Sequence, residues 1–309
     1  MDTLLGLLLL FFVAWLIIVI GGTLGLVWSL RHPTRRTFAV ALGRGLATQP
    51  EELGLSGEEV NFSFADGSGT SGWILEGGKR DGPTVVVVHG YGDSKYGAMN
   101  GVGKVICDAK VAWKVVVFDL RGQGESEAKT CGLGMLEPAD VKCVVEQLAE
   151  EDVKRGVVLF GYSMGAGNVI RAPEMCDDED PCIIGVIAEG PYRFWDEPVR
   201  NVMRLKKYPT WPLVSLAGPI LNRKLPGLLE MDREEDARKL TCPLLVLHGT
   251  QDVVCGMDTA ESIAKAAEQG EFVAIDGAGH TRLAEHDPAR YGVVLKKFFE
   301  ALDQDGAAH

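Results

Sequence analysis

The sequence predicts an α/β protein: a doubly wound, mostly parallel sheet of about eight strands with a small helical cap, preceded by one transmembrane helix. Short runs of Val, Ile, Leu and Phe alternate with stretches of helical spacing, which predicts the sheet and its covering helices. Several of these runs are uninterrupted, as in strands that are buried on both faces. A charge-free apolar segment at the front of the 309-residue chain predicts the transmembrane helix.

The front segment, residues 3–30, contains no charged side chain and consists mostly of Leu, Ile, Val, Phe and Trp. As a helix it would be about 42 Å long, which exceeds the roughly 30 Å of hydrocarbon in a bilayer. A signal peptide and a buried core helix are the alternatives, but the segment lacks a basic start and an Ala-x-Ala-like cleavage site. We therefore expect residues 1–30 to be a single-pass membrane anchor.

Charge and cysteine content indicate where the rest of the chain lies. Arg31, Arg35 and Arg36 follow the anchor, and such clusters stay on the cytoplasmic side of a membrane. The seven cysteines are too few for a disulfide scaffold and form no CxxC pair, which fits a reducing compartment. The net charge is −12 for the whole chain and −14 after residue 36, which argues against nucleic acid as a partner.

Residues 31–56 are predicted to be a basic flank and connector, and residues 57–309 a single domain built on the sheet. The predicted strands cover residues 60–64, 71–75, 84–89, 113–120, 157–161, 183–188, 244–248 and 271–275. Stretches with helical spacing include 139–151, 261–268 and 287–302. Residues 191–240, here called the cap segment, contain six prolines and are longer than an ordinary connection, so we expect them to cover a site.

The motif Gly161-Tyr162-Ser163-Met164-Gly165 lies between a predicted strand and the start of a helix. Glycines on both sides of the serine permit a sharp turn that exposes its hydroxyl, which is the arrangement of a nucleophile elbow. The N-terminus of the following helix would add backbone donors and a positive dipole end where an anion forms. Ser163 is therefore predicted to be a catalytic nucleophile.

A serine nucleophile needs a general base and an acid that orients the base. Of the six histidines, His280 is predicted to be the base because it ends a glycine loop between the last strand and the last helix. Asp252 follows a predicted strand and completes the chain order Ser163, Asp252, His280. Asp276 and Asp258 are competitors, although Asp276 better suits a structural loop and Asp258 the N-cap of the next helix.

Two backbone amides are predicted to form an oxyanion hole. One is the amide of Met164, directly after the nucleophile, and the other is the amide of Tyr91, in the loop His89-Gly90-Tyr91-Gly92 that follows the third strand. Glycines beside Tyr91 would let the backbone approach a substrate closely. His89 is expected to have a structural role in holding this loop.

No cofactor and no metal are expected from the sequence. The Gly-x-Gly pairs lack the third glycine of a dinucleotide-binding motif, and no complete phosphate loop is present. No cluster of residues has the spacing of a metal site, and the predicted chemistry requires none.

Together these motifs resemble the α/β-hydrolase superfamily, in particular its serine aminopeptidase-like and lysophospholipase-like members. The matching pieces are His89-Gly90-Tyr91-Gly92, Asp119-Leu120-Arg121-Gly122-Gln123-Gly124-Glu125-Ser126, Gly161-Tyr162-Ser163-Met164-Gly165, His248-Gly249-Thr250-Gln251-Asp252 and Gly277-Ala278-Gly279-His280. The resemblance implies an α/β-hydrolase fold and hydrolysis of an ester, thioester or amide through an acyl-serine intermediate. The oxyanion loop departs from the His-Gly-Gly-Gly form of many lipases, which weakens an assignment to bulky esters.

We therefore expect a membrane-anchored serine hydrolase that acts on a small-molecule or lipid-like acyl ester or thioester. Four apolar residues of the cap segment are candidates to line an acyl pocket: Trp195, Trp211, Leu213 and Leu216. The sequence does not predict the oligomeric state.

Two other functions are consistent with the sequence. A serine peptidase would need a charged anchor for a peptide terminus, and Glu189, Asp196 or Glu197 could supply it. A non-catalytic scaffold would keep the fold without the chemistry, although a chain freed from catalysis would not be expected to retain the serine, histidine and aspartate together.

Overall fold

The computed structural model describes residues 2–175 and 183–306. Its strands are β1 Gly57–Ser63, β2 Gly69–Glu76, β3 Thr84–Val88, β4 Lys114–Phe118, β5 Val157–Tyr162, β6 Ile183–Glu189, β7 Leu244–Gly249 and β8 Gly270–Ile275. They form one sheet in the order β1-β2-β4-β3-β5-β6-β7-β8. β2 pairs antiparallel with β1 and β4, and the other neighbours pair in parallel. The predicted mostly parallel sheet of eight strands is confirmed.

The centre of the sheet is apolar on both faces because its strands are uninterrupted runs of apolar residues. The four valines 85–88 of β3 are fully buried. Val86 and Val88 belong to one hydrophobic cluster, and Val85 and Val87 belong to another on the opposite face. This two-sided burial is the reason that the run cannot alternate between apolar and polar residues.

Helices cover both faces and connect the strands. They are α1 Asp2–Arg31, α2 Phe38–Gly43, α3 Lys95–Ala98, α4 Lys104–Ala109, α5 Glu137–Glu146, α6 Glu150–Lys154, α7 Met164–Arg171, α8 Asp196–Leu205, α9 Leu213–Asn222, α10 Arg233–Arg238, α11 Met257–Ala266, α12 Leu283–His286 and α13 Pro288–Gly306. Three of them, α8, α9 and α10, lie in the cap segment between β6 and β7.

Two local predictions about helices are wrong. The pattern over 139–151 forms two helices, α5 and α6, because Ala149 is extended with ψ 146° and interrupts the helical backbone. Asp258 is not an N-cap: Gly256 is the N-cap of α11, and Asp258 lies within the first turn. A carboxylate in that turn still interacts favourably with the helix dipole.

The N-terminal helix α1 has the length and composition of a membrane span. The most apolar 18-residue window of Thr3–Arg31 has a mean hydropathy of 3.0, and 6% of that window is buried. The C-terminal half of α1 packs on the domain through one face, where Val19, Thr23, Val27 and Leu30 are buried at helical spacing. α1 is thus one continuous helix whose first half is exposed and whose second half contacts α9.

Candidate active site

Ser163 lies on a sharp turn between β5 and α7. Its backbone has φ 55° and ψ −119°, which a residue with a side chain adopts only where the surroundings impose it. The flanking glycines make the turn possible: a Cβ at Gly161 would lie 2.2 Å from the Gly165 carbonyl oxygen, and one at Gly165 would lie 2.0 Å from the Val88 carbonyl oxygen. The elbow is therefore built by contacts between backbone atoms that exclude any larger residue.

The structure brings together the three predicted members of the triad. His280 Nε2 is 2.9 Å from Ser163 Oγ, and His280 Nδ1 is 2.6 Å from Asp252 Oδ2. The three residues follow β5, β7 and β8, whose carboxyl ends meet at one edge of the parallel sheet. Residues 117 positions apart in the chain thus form one hydrogen-bonded chain.

Asp252 is placed to hold the imidazole of His280 in one tautomer. Its side chain is 1% exposed, and its Oδ1 accepts the amide hydrogens of Val254 and Cys255 at 2.8 and 2.9 Å. Burial raises the pKa of this carboxyl, but hydrogen bonds from His280 and the two amides outweigh burial and lower the pKa overall. An ionised Asp252 accepts the Nδ1 hydrogen, which leaves Nε2 free to take the Ser163 proton.

The two competing aspartates have other positions. Asp276 Oδ1 accepts a hydrogen bond from the Thr250 hydroxyl at 3.0 Å, and Asp258 lies in α11. Neither hydrogen-bonds to His280 in the described part of the chain. Asp276 has the position of a structural loop residue, as expected. The expectation that Asp258 is an N-cap is wrong.

A buried pair beside the triad was not predicted from the sequence. The Glu189 carboxyl at the end of β6 is 2% exposed and accepts a hydrogen bond of 2.7 Å from the hydroxyl of Tyr291, which is fully buried. Burial raises the pKa of Glu189 to about 7. The Glu189 carbonyl accepts the Ser163 amide hydrogen at 2.8 Å, so the residue also fixes the elbow. An acid that ends a buried apolar strand is the signal that could have identified it.

Gly190, the residue after the glutamate of this pair, allows the imidazole to approach the backbone of β6. A Cβ at Gly190 would lie 3.4 Å from His280 Cε1 and Nδ1, and 3.6 Å from Asp252 Oδ2. The backbone φ of Gly190 is 60°, which favours glycine. The His280 ring therefore lies against the main chain that follows β6.

The loop 89–92 lies against the elbow, as the predicted oxyanion hole requires. A Cβ at Gly90 would lie 3.1 Å from the Cβ of Ser163. The amides of Tyr91 and Met164 donate no hydrogen bond to any residue that the structure describes. His89 holds the loop: its Nε2 accepts the Leu120 amide hydrogen at 3.0 Å, and its Nδ1 is 2.8 Å from the Gly90 carbonyl oxygen.

The Tyr91 side chain makes a contact that the sequence did not predict. Its hydroxyl donates hydrogen bonds to the carbonyl oxygens of Ser29 at 2.8 Å and Leu30 at 3.2 Å, in the last turn of α1. The Arg31 carbonyl accepts the Cys131 amide hydrogen at 2.8 Å. The end of α1 is thus tied to the loop that carries one of the predicted oxyanion donors.

The four apolar residues of the cap segment that were expected to line a pocket do not converge on one cavity. Trp195 is buried and lines a groove of about 310 Å³ that the triad does not reach. Leu213 packs beside Gly22 of α1. Trp211 and Leu216 are 71% and 45% exposed. The expectation fails because three of the four point away from the protein interior or toward α1.

The three carboxylates that a peptidase would need as anchors have intramolecular partners. Glu189 is bonded to Tyr291, Asp196 forms an ion pair of 2.7 Å with Arg200, and Glu197 accepts the Gly256 amide hydrogen at 3.0 Å. None of the three is therefore a free charge at the triad.

The side chains of Asp252, Cys255 and His280 could in principle hold a metal ion, since their ligand atoms lie within 4.8 Å of one another. Burial raises the pKa of the Cys255 thiol well above its usual range, and a metal requires the thiolate. Asp252 and His280 already bind each other. The donor set fits a hydrogen-bonded triad better than a metal centre.

Comparisons with known proteins identify the family and the fold of the chain. A sequence model of the Alpha/beta hydrolase family matches residues 85–291, a range that contains all three triad residues. The uncharacterized protein YqkD of Bacillus subtilis is 25% identical over 232 residues, which are 71% of this chain and 72% of that protein. Esterase Pf2001 of Pyrococcus furiosus shares the fold, with a TM-score of 0.68 at 22% identity over 88% of this chain and 98% of that one.

A relative from Danio rerio is named lysophosphatidylserine lipase ABHD12. It is 22% identical over 215 residues, which are 64% of this chain and 51% of the lipase. This chain therefore spans about half the length of that lipase.

Proposed function

Because the chain belongs to the Alpha/beta hydrolase family, we propose that it is a serine hydrolase that cleaves an acyl ester or thioester through an acyl-serine intermediate. The observation that carries the proposal is the continuous hydrogen-bonded chain from Ser163 Oγ through His280 to Asp252. A positioned base and a buried acid are what a serine hydroxyl needs to become a nucleophile.

Acylation begins when Ser163 Oγ attacks the carbonyl carbon while His280 Nε2 takes the hydroxyl proton. Asp252 stabilises the imidazolium that forms. The tetrahedral intermediate then collapses, the bond to the alcohol or thiol breaks, and His280 returns the proton to that leaving group. In deacylation His280 deprotonates a water molecule, which attacks the acyl-serine, and the carboxylic acid leaves as Ser163 regains its proton.

We assign the oxyanion hole to the backbone amides of Tyr91 and Met164. Support comes from the contact between the loop 89–92 and the elbow, and from the position of Met164 at the first residue of α7. Each donor of such a hole is worth roughly 3 to 4 kcal/mol of transition-state stabilisation.

We further propose that α1 anchors the enzyme in a membrane, with the catalytic domain on the cytoplasmic side, and that the substrate is lipid-like. The span of Thr3–Arg31 and the basic residues that follow it support the anchor and its orientation. The zebrafish relative named as a lysophosphatidylserine lipase supports a lipid-like substrate. Ester hydrolysis is favoured over peptide hydrolysis because Glu189, Asp196 and Glu197 are bound within the protein.

A membrane-impermeant fluorophosphonate probe tests both the nucleophile and the orientation. The full-length chain should be labelled only after the cells are lysed. Ser163→Ala should abolish labelling and lower kcat for p-nitrophenyl esters by on the order of 10⁶-fold. Ser215→Ala, at an exposed serine of the cap segment, is the matched control and should label normally.

Labelling of Ser163→Ala at the wild-type rate would show that another residue is the nucleophile. Labelling of intact cells would place the domain on the outer side. A series of acyl esters of increasing chain length, set against aminoacyl anilides, separates an esterase from a peptidase.

A further inference from the structure

We propose that residues 204–211 of the cap segment form a contact site for a bilayer surface that carries anionic phospholipid headgroups. The site would lie beside the point where α1 leaves the hydrocarbon. This inference rests on the proposed membrane anchoring, and it adds a second contact between the enzyme and the membrane. Three independent features of the chain support it.

The first feature is depth. Hydrocarbon of roughly 30 Å takes about 20 residues of helix, so a span that starts at Thr3 reaches the far boundary near Gly22. A Cβ at Gly22 would lie 3.2 Å from the Cδ2 atom of Leu213, which is the first residue of α9. α9 therefore begins at the level where hydrocarbon meets headgroups, and residues 204–211 directly precede it.

The packing of α9 keeps this level fixed. Val27 and Leu30 of α1 belong to the same buried cluster as Val214, Ala217 and Leu221 of α9. Two helices joined by a shared apolar cluster move together. The turn before α9 is thus held at a constant height along α1.

The second feature is charge. Residues 198–229 contain six basic and no acidic residues, whereas the remaining 25 basic residues of the chain are set against 43 acidic ones, a net charge of −18. Arg204, Lys206 and Lys207 are exposed, and none of them forms an ion pair with a residue that the structure describes. An acidic domain with one basic face is oriented by an anionic surface, with the basic face toward it.

The third feature is the exposure of aromatic and apolar side chains among these basic residues. Leu205 is 55% exposed, Tyr208 is 61% exposed and Trp211 is 71% exposed. Tryptophan and tyrosine favour the interface between membrane and water, where an apolar ring and a polar group are both satisfied. Exposed side chains of this kind are costly in water and are stabilised at a bilayer surface.

The contact would bring the bilayer close to the loop that carries the proposed oxyanion donor. The Tyr91 hydroxyl donates to the Ser29 carbonyl at 2.8 Å, so the end of α1 and this loop are in direct contact. A lipid-like ester in the headgroup layer would then reach the enzyme from the membrane surface.

The test uses the full-length protein in nanodiscs of phosphatidylcholine with phosphatidylglycerol, with brominated or ordinary acyl chains. Bromine quenches the fluorescence of tryptophans that lie at the bilayer. If Trp211 contacts the bilayer, Trp211→Phe should remove a measurable share of the quenched fluorescence. Trp113→Phe, which removes an indole packed against Arg155, is the control and should leave the quenched signal unchanged. Equal quenching of tryptophan fluorescence in the wild type and Trp211→Phe would overturn the proposal. It would indicate that residues 204–211 bind a protein partner instead.

The charge is tested with Lys206→Glu/Lys207→Glu. In anionic nanodiscs this variant should lose on the order of tenfold or more in kcat/KM for a bilayer-embedded acyl ester, and it should match the wild type in neutral nanodiscs and on p-nitrophenyl acetate. Lys265→Glu/Lys296→Glu, at exposed positions of α11 and α13, is the control and should behave as the wild type.

The outcomes separate this inference from the proposed function. Equal activity of the two lysine variants in anionic nanodiscs would overturn the headgroup site while the hydrolase assignment stands. Absence of soluble-ester hydrolysis with normal Trp211 quenching would overturn the enzyme assignment and keep the membrane contact. Extraction of the wild-type chain from membranes by alkaline carbonate would overturn both the anchor and the contact site.

Discussion

Two regions of the molecule differ in packing: the elbow at Ser163 is tightly packed, whereas residues 204–211 of the cap segment are mostly exposed. At the elbow, backbone atoms approach so closely that glycine is required at positions 161 and 165, and Glu189 is almost fully buried beside it. In residues 204–211 of the cap segment, large apolar and basic side chains are exposed. The difference shows that close backbone contacts fix the position of Ser163, whereas the large side chains of residues 204–211 are exposed to solvent.

The largest effect on stability is expected from Gly165→Ala. The new Cβ would lie 2.0 Å from the Val88 carbonyl oxygen, and β3 has no room to move because it is buried on both faces. We expect the free energy of unfolding to fall by about 4 kcal/mol, with loss of fluorophosphonate labelling.

Chemical denaturation in detergent measures this change, and Gly279→Ala is the matched control. A Cβ at Gly279, in the loop that precedes His280, meets no atom within 4 Å. A Gly165→Ala protein as stable as the wild type would show that the elbow tolerates a side chain, and would remove the contrast with the cap segment.

A smaller, pH-dependent effect is expected from Glu189→Gln. The folded pKa of Glu189, about 7, lies above the ordinary glutamate value of 4.5, so its contribution to stability is complete below pH 4.5. That contribution is lost as the pH rises toward 7, by roughly 3 kcal/mol in total. The glutamine introduced at this position stays neutral and can still accept the Tyr291 hydrogen bond. The free energy of unfolding of the variant should therefore rise relative to that of the wild type as the pH increases over this range.

Denaturation at pH 5.0, 6.0 and 7.5 measures the difference between the two free energies of unfolding. Glu58→Gln, at an exposed position of β1, controls for the loss of one negative charge. If the free energies of unfolding of Glu189→Gln and the wild type changed with pH in the same way, ionisation of this buried carboxyl would not reduce stability. The contrast between the elbow and the exposed residues 204–211 would then be lost.

The smallest effect is expected from Trp211→Ser in detergent solution. The side chain is 71% exposed, so the free energy of unfolding should change by less than about 0.5 kcal/mol. Val214→Ser, at a buried position of α9 in the same segment, should cost several kcal/mol in the same assay. A large loss from Trp211→Ser would mean that Trp211 belongs to the core and would erase the contrast drawn above.

Local patterns were sufficient to predict the fold. Apolar runs such as 85–88 predicted the central strands, because a strand buried on both faces needs apolar residues at every position. The edge strands β1 and β8 are partly exposed and have mixed sequences, and short β-rich runs predicted them as well. Sequence patterns predicted helices less well. The helical spacing over 139–151 did not indicate the extended backbone at Ala149, which divides this stretch into α5 and α6.

By itself, the sequence determined the eight strands, the apolar segment that forms α1, and the chain order Ser163, Asp252, His280. Each of these features is indicated by a short run or motif of neighbouring residues, which can be recognised in the sequence. Only the tertiary structure decided that Glu189 pairs with Tyr291, that Tyr91 bonds to the end of α1, and that Leu213 lies beside Gly22. Such contacts join residues 61 to 191 positions apart, and no local pattern specifies them, because they arise when the packed core fixes where each element lies.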